Sequence, residues 1–293
     1  MNILKMLKRT ILYLIFLLAS QAPLAWAQAP NPLAKSWFNP GLTNAFVGAC
    51  LLFLLVELSV WRAKSGKPMF IRRIAGLSAV EEAVGRATEM GRPVLFLTGL
   101  NDLSDIATIS AVNILAQVAR KTAEYDTPLL VPNYDPVTYT VTQEVVKQAY
   151  TEAGRPDAYN PNNIYFITAN QMGYAAAVDG IMMREKPATN FFMGYYYAEA
   201  LILAETGNIT GAIQIAGTDA VMQLPFFITS CDYTLMGEEL YAASAYLSRE
   251  PVLVGTLKAQ DWCKVIITFL LLAGSAWALV VRNDWFLGLF SIG

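Results

Sequence analysis

The chain has 293 residues, of which 55% are hydrophobic and only 15% are charged, and its formal net charge is −2. Soluble proteins carry about 25% charged residues, so this composition indicates that part of the chain lies in a lipid bilayer. The sequence contains no histidine, which excludes Ser-His-Asp and Cys-His catalysis and any histidine-ligated zinc or haem site.

Residues 1–27 have the three parts of a secretory signal. A basic n-region precedes the apolar stretch Ile11–Ala19, and residues 25–27 (Ala-Trp-Ala) supply a cleavage motif. An uncut signal anchor is the alternative interpretation. Residues 28–41, which contain proline and asparagine, are predicted to form an exposed extracytoplasmic spacer.

Residues 42–61 are predicted to form the first membrane helix, because about 20 apolar residues cross ~30 Å of hydrocarbon. The one charge in this helix is Glu57, which we expect to pair with Lys264 near the same end of a second membrane helix, residues 265–281. A functional intramembrane acid is the alternative. Residues 282–293 are apolar and aromatic but too short to span, so we expect them to lie in the outer interface.

A basic collar follows the first membrane helix. Residues 62–92 hold seven basic and three acidic residues, and the positive-inside rule predicts that this end is cytoplasmic. Residues 93–261 hold 18 acidic and 8 basic residues, whereas a nucleic-acid-binding domain needs a basic face. We therefore predict a multi-pass protein of the bacterial inner membrane that contacts the lipid bilayer, has a cytoplasmic main domain, and binds no nucleic acid.

The main domain, residues 93–261, alternates short apolar segments with helical ones. The predicted strands are Val94–Leu97, Leu129–Val131, Ile164–Thr168, Asn190–Gly194 and two centred on Ile213 and Phe226. A short helix, Leu77–Met90, is predicted at the end of the collar, and the predicted helices of the domain are Asp105–Tyr125, Thr142–Ala153, Gln171–Arg184, Tyr197–Thr206 and Leu235–Leu247. This alternation predicts an α/β fold, with a doubly wound, mostly parallel open sheet that is Rossmann-like and is flanked by two transmembrane helices.

Open α/β sheets bind ligands at the carboxyl ends of their strands. The candidate ligand site consists of polar residues predicted to lie there: Asp102, Asp105, Asn133, Asp135, Asp219 and Asp232. Converging carboxylates could bind Mg²⁺ or a cationic small molecule. Alternatively, these residues cap helices and form turns, as aspartate and asparagine do at strand ends. GxGxxG and Walker A patterns are absent from the sequence, so it predicts no catalytic residue and identifies no cofactor.

Two further features have both a structural and a functional interpretation. Cys231 is predicted to follow a strand and precede a helix, as a nucleophile does, but the adjacent Asp232 opposes a thiolate. This favours a buried structural cysteine. The aromatic run Phe191–Tyr197 is interpreted as core with one interface edge rather than as a stacking platform.

The main domain contains several short sequence motifs that are typical of one family: AEYDTPL (123–129), AGRPDAYNP (153–161), QIAGT (214–218), CDYTLMGEELYAASAYLS (231–248) and LKAQDW (257–262). In these motifs the region between Gly91 and Trp262 resembles a family of uncharacterised bacterial and archaeal membrane proteins, known as a domain of unknown function. The resemblance implies a discrete unit and brings no assigned activity or catalytic residue.

The sequence favours an interaction role, because it contains no nucleophile–base pair and no phosphate loop. We expect a membrane-anchored scaffold or accessory subunit of a membrane complex; an enzyme or a sensor of a small ligand or metal is the alternative. Small residues four apart let helix backbones approach closely, and they occur in both membrane helices: Ala45 and Ala49, and Gly274 and Ala278. We therefore predict a homo-oligomer, with other membrane-complex subunits as further partners.

Overall fold

The computed structural model describes residues 43–65, 75–248 and 250–281. The predicted signal 1–27, the spacer 28–41, collar residues 66–74 and the tail 282–293 lie outside the described residues. The chain divides into two compact units, one formed by residues 1–51 with 274–293 and the other by residues 52–273. The described part of the first unit is entirely helical apart from its ends.

The centre of the second unit is a six-stranded parallel sheet with the order β3-β2-β1-β4-β5-β6. Its strands are β1 (Val94–Leu97), β2 (Leu129–Asn133), β3 (Ile164–Phe166), β4 (Thr189–Met193), β5 (Ile213–Thr218) and β6 (Tyr233–Met236). The strand order reverses between β1 and β4, which is the switch point of a doubly wound fold. The predicted Rossmann-like sheet is therefore confirmed.

Helices cover both faces of this sheet. The α-helices of the described residues are, in chain order, α1 (Thr43–Lys64), α2 (Ala75–Met90), α3 (Ile106–Glu124), α4 (Pro136–Glu152), α5 (Gln171–Glu185), α6 (Glu199–Ile209), α7 (Leu224–Ser230), α8 (Glu238–Ser248) and α9 (Pro251–Val281), and those that cover the sheet are α2 to α8. Buried residues of α2, α3, α4 and α8 form the core on one face, and those of α5, α6 and α7 form the core on the other.

Successive side chains of the central strands point to opposite faces. On the α3 face, Phe96 of β1 stacks on Phe191 of β4 with ring centroids 5.6 Å apart. On the α6 face, Phe192 of β4 stacks on Phe227 of α7 at 5.7 Å. Since helices cover both faces, β1 and β4 are buried along their whole length, as is typical of central parallel strands.

The sixth strand differs from the sequence prediction. The sequence predicts a strand around Phe226, but this run forms the helix α7, and the strand is the following segment, β6. Pro225 lies in the first turn of α7, where a missing N–H breaks no helical hydrogen bond. A short apolar run cannot be assigned to strand or helix by periodicity alone, which is why the prediction was wrong here.

Two helices begin earlier than predicted. Helix α4 begins at Pro136 instead of Thr142, because Asp135 caps it and proline fits the first helical position. Helix α9 begins at Pro251, so the predicted membrane helix 265–281 is the second part of one continuous helix.

Two helices are long and apolar enough to cross a membrane, judged by length and composition. The candidate spans are Ala45–Lys64 in α1 and Pro251–Ala276 in α9. Within the second unit these helices meet at Gly255, where an added Cβ would lie 2.7 Å from the Cα of Val60. A small residue is therefore needed at this contact.

Candidate functional site at the carboxyl edge of the sheet

The crevice expected at the switch point between β1 and β4 is closed by the backbone of the chain itself. The loops that follow these two strands contain Gly99 (φ 82°) and Gly194 (φ 115°). A Cβ at Gly194 would lie 2.4 Å from the carbonyl oxygen of Thr98, and a Cβ at Gly99 would lie 2.7 Å from the backbone of Tyr195. Leu100 N–H also donates to the Tyr195 carbonyl over 2.9 Å. The two loops thus touch where other doubly wound folds hold a ligand.

Three polar side chains at this edge cap the helices that follow them. Asp105 accepts from Ala107 N–H at 2.8 Å, Asp135 from Thr138 N–H at 2.7 Å, and Asn170 from Gly173 N–H at 2.8 Å. Each cap pairs one of the N–H groups that a helix leaves unsatisfied at its start. The capping interpretation of these residues is therefore correct at α3, α4 and α5.

Asp102 also has a local role. Its carboxylate accepts from the N–H of Ser104 at 2.9 Å and from its hydroxyl at 2.5 Å, and these bonds lower the pKa of Asp102. Beside it, Asn101 donates to the cap Asp105 and accepts from the exposed hydroxyl of Tyr197 at 2.8 Å. Asn101 therefore links the loop after β4 to the start of α3.

The aromatic run Phe191–Tyr197, which begins in β4 and continues into the loop after it, separates into a core part and an edge part. Phe191, Phe192 and Tyr196 are fully buried. Tyr195 is half-buried and contacts the exposed Tyr197 edge-on, with ring centroids 5.0 Å apart. The burial agrees with the predicted core, and the role of the exposed edge as an interface stays a prediction.

Asn133 is buried at the end of β2, and both of its amide groups are used within the chain. Its amide nitrogen donates to Val131 O at 3.0 Å, and its oxygen accepts from the Thr142 hydroxyl at 3.1 Å. It anchors α4 to β2 and does not point out of the sheet as a ligand group.

Asp219 differs from the other acids at this edge. Its Oδ2 accepts from the hydroxyl of Tyr241 at 2.5 Å, but its buried Oδ1 has no hydrogen-bond partner among the described residues. Burial and the hydrogen bond to Asp219 raise the pKa of Tyr241, and the charges of Asp219 and Asp105 add to this effect. The structure thus places the Asp219 carboxylate against the phenol of Tyr241, between β5 and α8.

A family comparison covers nearly all of the sequence. Residues 33–290 match the family model described as "Domain of unknown function (DUF6754)". The chain belongs to this family. The match extends beyond the region 91–262 in which the resemblance was recognised, and it includes both apolar helices. No curated protein and no solved structure matches the chain.

Asp232 does not belong to the carboxyl edge. Since β6 begins at Tyr233, Asp232 lies at the amino end of that strand, where its Oδ2 accepts from Gln214 N–H at 2.8 Å. Cys231 likewise follows a helix and precedes a strand, the reverse of the prediction. Burial and the charge of Asp232 raise the pKa of the Cys231 thiol to about 12, so it is protonated at neutral pH.

Sequence reasoning missed Glu199, a fully buried acid at the first position of α6. One carboxylate oxygen accepts from Tyr197 N–H at 2.7 Å, and the other accepts from the Gln171 side-chain amide at 2.5 Å. Glu199 therefore joins the starts of α5 and α6 beneath the edge. The available signal was an acid two residues after an aromatic run, at a helix start.

A buried amide pair was also missed. Asn190 of β4 and Gln214 of β5 are register partners, and both are buried with an oxygen that lacks a hydrogen-bond partner in the described part of the chain. Gly207 of α6 passes so close that an added Cβ would lie 2.0 Å from Gln214 Oε1. Gln214 donates to Ala204 O and Ser230 O at 2.9 and 2.7 Å, which ties α6 and α7 to β5.

The predicted ion pair between Glu57 and Lys264 is not formed. The ammonium of Lys264 is paired with Glu238, the first residue of α8, while Glu57 is exposed. The predicted pairing was wrong because α9 extends back to Pro251, so Lys264 lies beside α8.

The small residues predicted to pack helices belong to the first unit. Ala45 and Ala49 are exposed, and Gly274 is buried; the side chain of Ala278 lies outside the described residues. Their role in association stays a prediction. In the described ranges, no group of three or more acids and cysteines is arranged to hold a metal ion.

Proposed function

We propose that the chain is a membrane-anchored, self-associating scaffold or accessory subunit of a membrane complex. The observation that carries this proposal is the closed switch point. Gly99 and Gly194 bring two loop backbones into contact where a doubly wound fold would admit a ligand. The ligand-binding edge of the fold is thereby used for internal packing.

The chemistry of the same edge supports this proposal. Asp105, Asp135 and Asn170 are committed to helix caps. The loops at this edge, residues 98–105, 134–135, 167–170, 194–198 and 219–223, contain no lysine or arginine. A nucleotide or another phosphate ligand would therefore find no cationic side chain there.

The anchoring rests on the two apolar helices. The last turn of α1 carries Arg62 and Lys64, and a basic end of this kind favours the cytoplasmic side of a bacterial inner membrane. On this proposal the sheet domain is cytoplasmic. Protease added to intact spheroplasts would then leave residues 93–260 uncut, and cleavage there would contradict the orientation.

Self-association has two sources of support. The exposed Ala45 and Ala49 lie four residues apart on α1 and permit close helix contact. The edge strand β6 carries the partly exposed apolar side chains of Tyr233 and Met236, and an uncovered sheet edge is a surface on which another chain can pair. Membrane anchoring would orient all copies alike and raise their effective concentration.

Mass photometry of the full chain in mild detergent tests this proposal. We expect particles at multiples of the 32.2 kDa chain mass, and Ala49→Leu is expected to shift them towards a single copy by crowding the small-residue face. Val47→Leu, on the opposite side of the same helix turn, is the matched control and should leave the distribution unchanged. A single-copy particle in the unmodified chain would contradict self-association.

A ligand or metal sensor is a second candidate, favoured by one observation. Asp219 keeps a buried carboxylate oxygen without a hydrogen-bond partner in the described part of the chain, and Asp105 lies near the same phenol, Tyr241. Thermal shift of the full chain against Mn²⁺, nucleotides and spermidine tests this role. A saturable stabilisation that is lost in Asp219→Asn but kept in Asp232→Asn, at the opposite edge, would favour the sensor.

A further inference from the structure

The direction of α9 relative to the sheet follows from two contacts at its ends. Helix α8 begins at the carboxyl edge, because Gly237 N–H donates to Thr218 O, the last residue of β5, at 2.9 Å. Only two residues separate the end of α8 from Pro251, and Lys264 is paired with Glu238 at the start of α8. Since α8 is about 15 Å long and residues 251–264 rise about 20 Å, α9 runs antiparallel to α8 and returns to the carboxyl edge.

The apolar part of α9 begins at this same level. Residues 258–264 include two lysines and an aspartate, and Lys258 pairs with Asp261 at 2.9 Å. The next residues, Val265–Ala273, carry exposed valine, isoleucine, phenylalanine and leucine side chains and rise about 14 Å past the edge. The candidate span Pro251–Ala276 contains these charges ahead of its apolar segment, and charged side chains are costly in hydrocarbon. If α9 enters the bilayer after Lys264, as we infer with the proposed membrane anchoring, it does so where the carboxyl edge of the sheet lies.

Two exposed tryptophans mark the same zone. Trp262 precedes Lys264 by two residues, and Trp61 follows Val60, which contacts Gly255. Both tryptophans therefore lie on the domain side of Lys264. Along α9, Trp262 is about 3 Å from Lys264, and Trp61, next to the contact at Gly255, is about 14 Å from it. Tryptophan is enriched at the headgroup level of membranes, so the headgroup layer extends from the start of the apolar segment towards the sheet.

The loop between β5 and α7 presents an apolar tip in this zone. Val221 is 75% exposed and Met222 is 81% exposed, so neither side chain is part of the core. The loop is held to α8 by the hydrogen bond between Asp219 and Tyr241, close to Glu238. Ile106 at the start of α3 and Met236 at the end of β6 add exposed apolar surface at the same edge.

The opposite edge has a different surface. The basic residues between β1 and the end of α8 (residues 94–248) lie in the second halves of helices or just after them, at the amino edge: Arg120, Lys121, Lys147, Arg155, Arg184 and Lys186. Many of them form exposed ion pairs with neighbouring acids. A surface of paired charges is well solvated by water. Exposed apolar loop residues without neighbouring lysine or arginine are instead stabilised at the boundary between headgroups and acyl chains of a membrane.

We propose that the loop Ala220–Gln223 inserts Val221 and Met222 into the headgroup layer of the membrane that anchors α9. The occupant of this surface is the lipid bilayer. The carboxyl edge then lies flat against the membrane and the charged amino edge faces the cytoplasm. Because the edge loops lack lysine and arginine, insertion depends on apolar contact and does not require anionic lipid. The inference rests on the membrane anchoring proposed above.

Photocrosslinking of the full chain in phosphatidylcholine vesicles tests this inference. A diazirine amino acid replaces Met222, and in separate samples Ile209, which is 71% exposed at the end of α6 on the amino edge, or Ile267 in the apolar segment. We expect position 222 to give about tenfold more lipid adduct than position 209, with or without added phosphatidylglycerol.

The three labelled positions distinguish a failure of loop insertion from a failure of membrane anchoring. Lipid adducts at 267, with no more at 222 than at 209, would overturn the insertion of the loop and leave the membrane anchor intact. Crosslinks from 222 to a second copy of the chain instead of lipid would also overturn it. An absence of lipid adducts at 267 would contradict the membrane anchoring itself, and the inference would fail with it.

Discussion

The two edges of the sheet use the same residue types for different purposes. At the carboxyl edge, Asp105 and Asp135 accept from the first N–H groups of helices. At the amino edge, Asp232 accepts from the backbone of the neighbouring strand. These three aspartates were predicted to belong to one ligand site, yet each accepts from a local backbone N–H group. An acid at a strand end is thus first explained by the nearest unpaired N–H group.

The edges also differ in how they meet the surroundings. The carboxyl edge is closed by backbone contact at Gly194 and carries apolar tips, whereas the amino edge carries ion pairs such as Arg155 with Asp126 at 3.1 Å. Exposed ion pairs contribute little to stability, so the amino edge should tolerate substitution. The closed carboxyl edge should not.

The largest effect is expected on the alkylation rate of Cys231, which lies next to Asp232 at the amino edge. With its pKa raised to about 12, the thiolate fraction at pH 8 is about 10³-fold below that of a free cysteine. The rate of Cys231 alkylation should rise about tenfold per pH unit up to that pKa, because only the thiolate reacts. Alkylation by iodoacetamide, followed by peptide mass mapping, measures this rate.

The denatured chain is the control for this measurement, since the same cysteine should then react as a free thiol. Alkylation of the folded chain at the free-thiol rate at pH 8 would contradict the raised pKa of Cys231.

The next effect is expected at the closed switch point. Gly194→Ala forces a Cβ to within 2.4 Å of Thr98 O at a φ of 115°, which we expect to lower the free energy of unfolding by about 3 kcal/mol or more. Gly180→Ala is the control, because it lies within α5 with open space around it and should stabilise by up to about 1 kcal/mol. Urea unfolding of the full chain in detergent, followed by circular dichroism, measures both. Equal stability of the two variants would mean that the loops do not touch.

A second effect on stability at the carboxyl edge is expected at Glu199. Glu199→Ala leaves Tyr197 N–H and the Gln171 amide without their acceptors, so we expect a loss of about 2–4 kcal/mol in unfolding free energy. Glu205→Ala, an exposed acid on the same helix, should change it by less than about 0.5 kcal/mol. The same urea titration compares the two, and a neutral Glu199→Ala would show that the buried contacts are not formed.

The smallest effect is expected at a single cap. Asp135→Ala removes the acceptor for both the N–H and the hydroxyl of Thr138 and should cost about 0.5–2 kcal/mol. Asp135→Asn keeps a capping side chain and should be close to neutral. Thermal unfolding of the two variants distinguishes a cap, which asparagine replaces, from a ligand carboxylate, which it does not.

Much of the fold was predictable from the sequence because its signals are local. The strands β1 and β4 are short apolar runs followed by polar tips, and α3 and α5 follow Asp105 and Asn170 as caps. The error at α7 and β6 has a physical cause. The run around Phe226 is too short to carry a period, so the strand assignment displaced Cys231 and Asp232 to the wrong edge.

The candidate site was less predictable because it depends on contacts between distant residues. Gly99 and Gly194 are 95 positions apart, and neither reveals from the sequence that its backbone meets the other. Glu199 resembles any acid in a first helical turn until the position of Gln171 on α5 is known. Lys264 takes Glu238 as its partner only because α9 folds back along α8.

The mass of the intact assembly tests the central claim most directly. The full chain is extracted from its own membrane into polymer nanodiscs and analysed by native mass spectrometry, which detects both the number of copies and any retained small molecule. The account predicts several copies of the chain, whose full sequence has a mass of 32.2 kDa, with lipid as the one class of small molecule retained. A single copy that retains a nucleotide, a metal ion or another non-lipid ligand would contradict it.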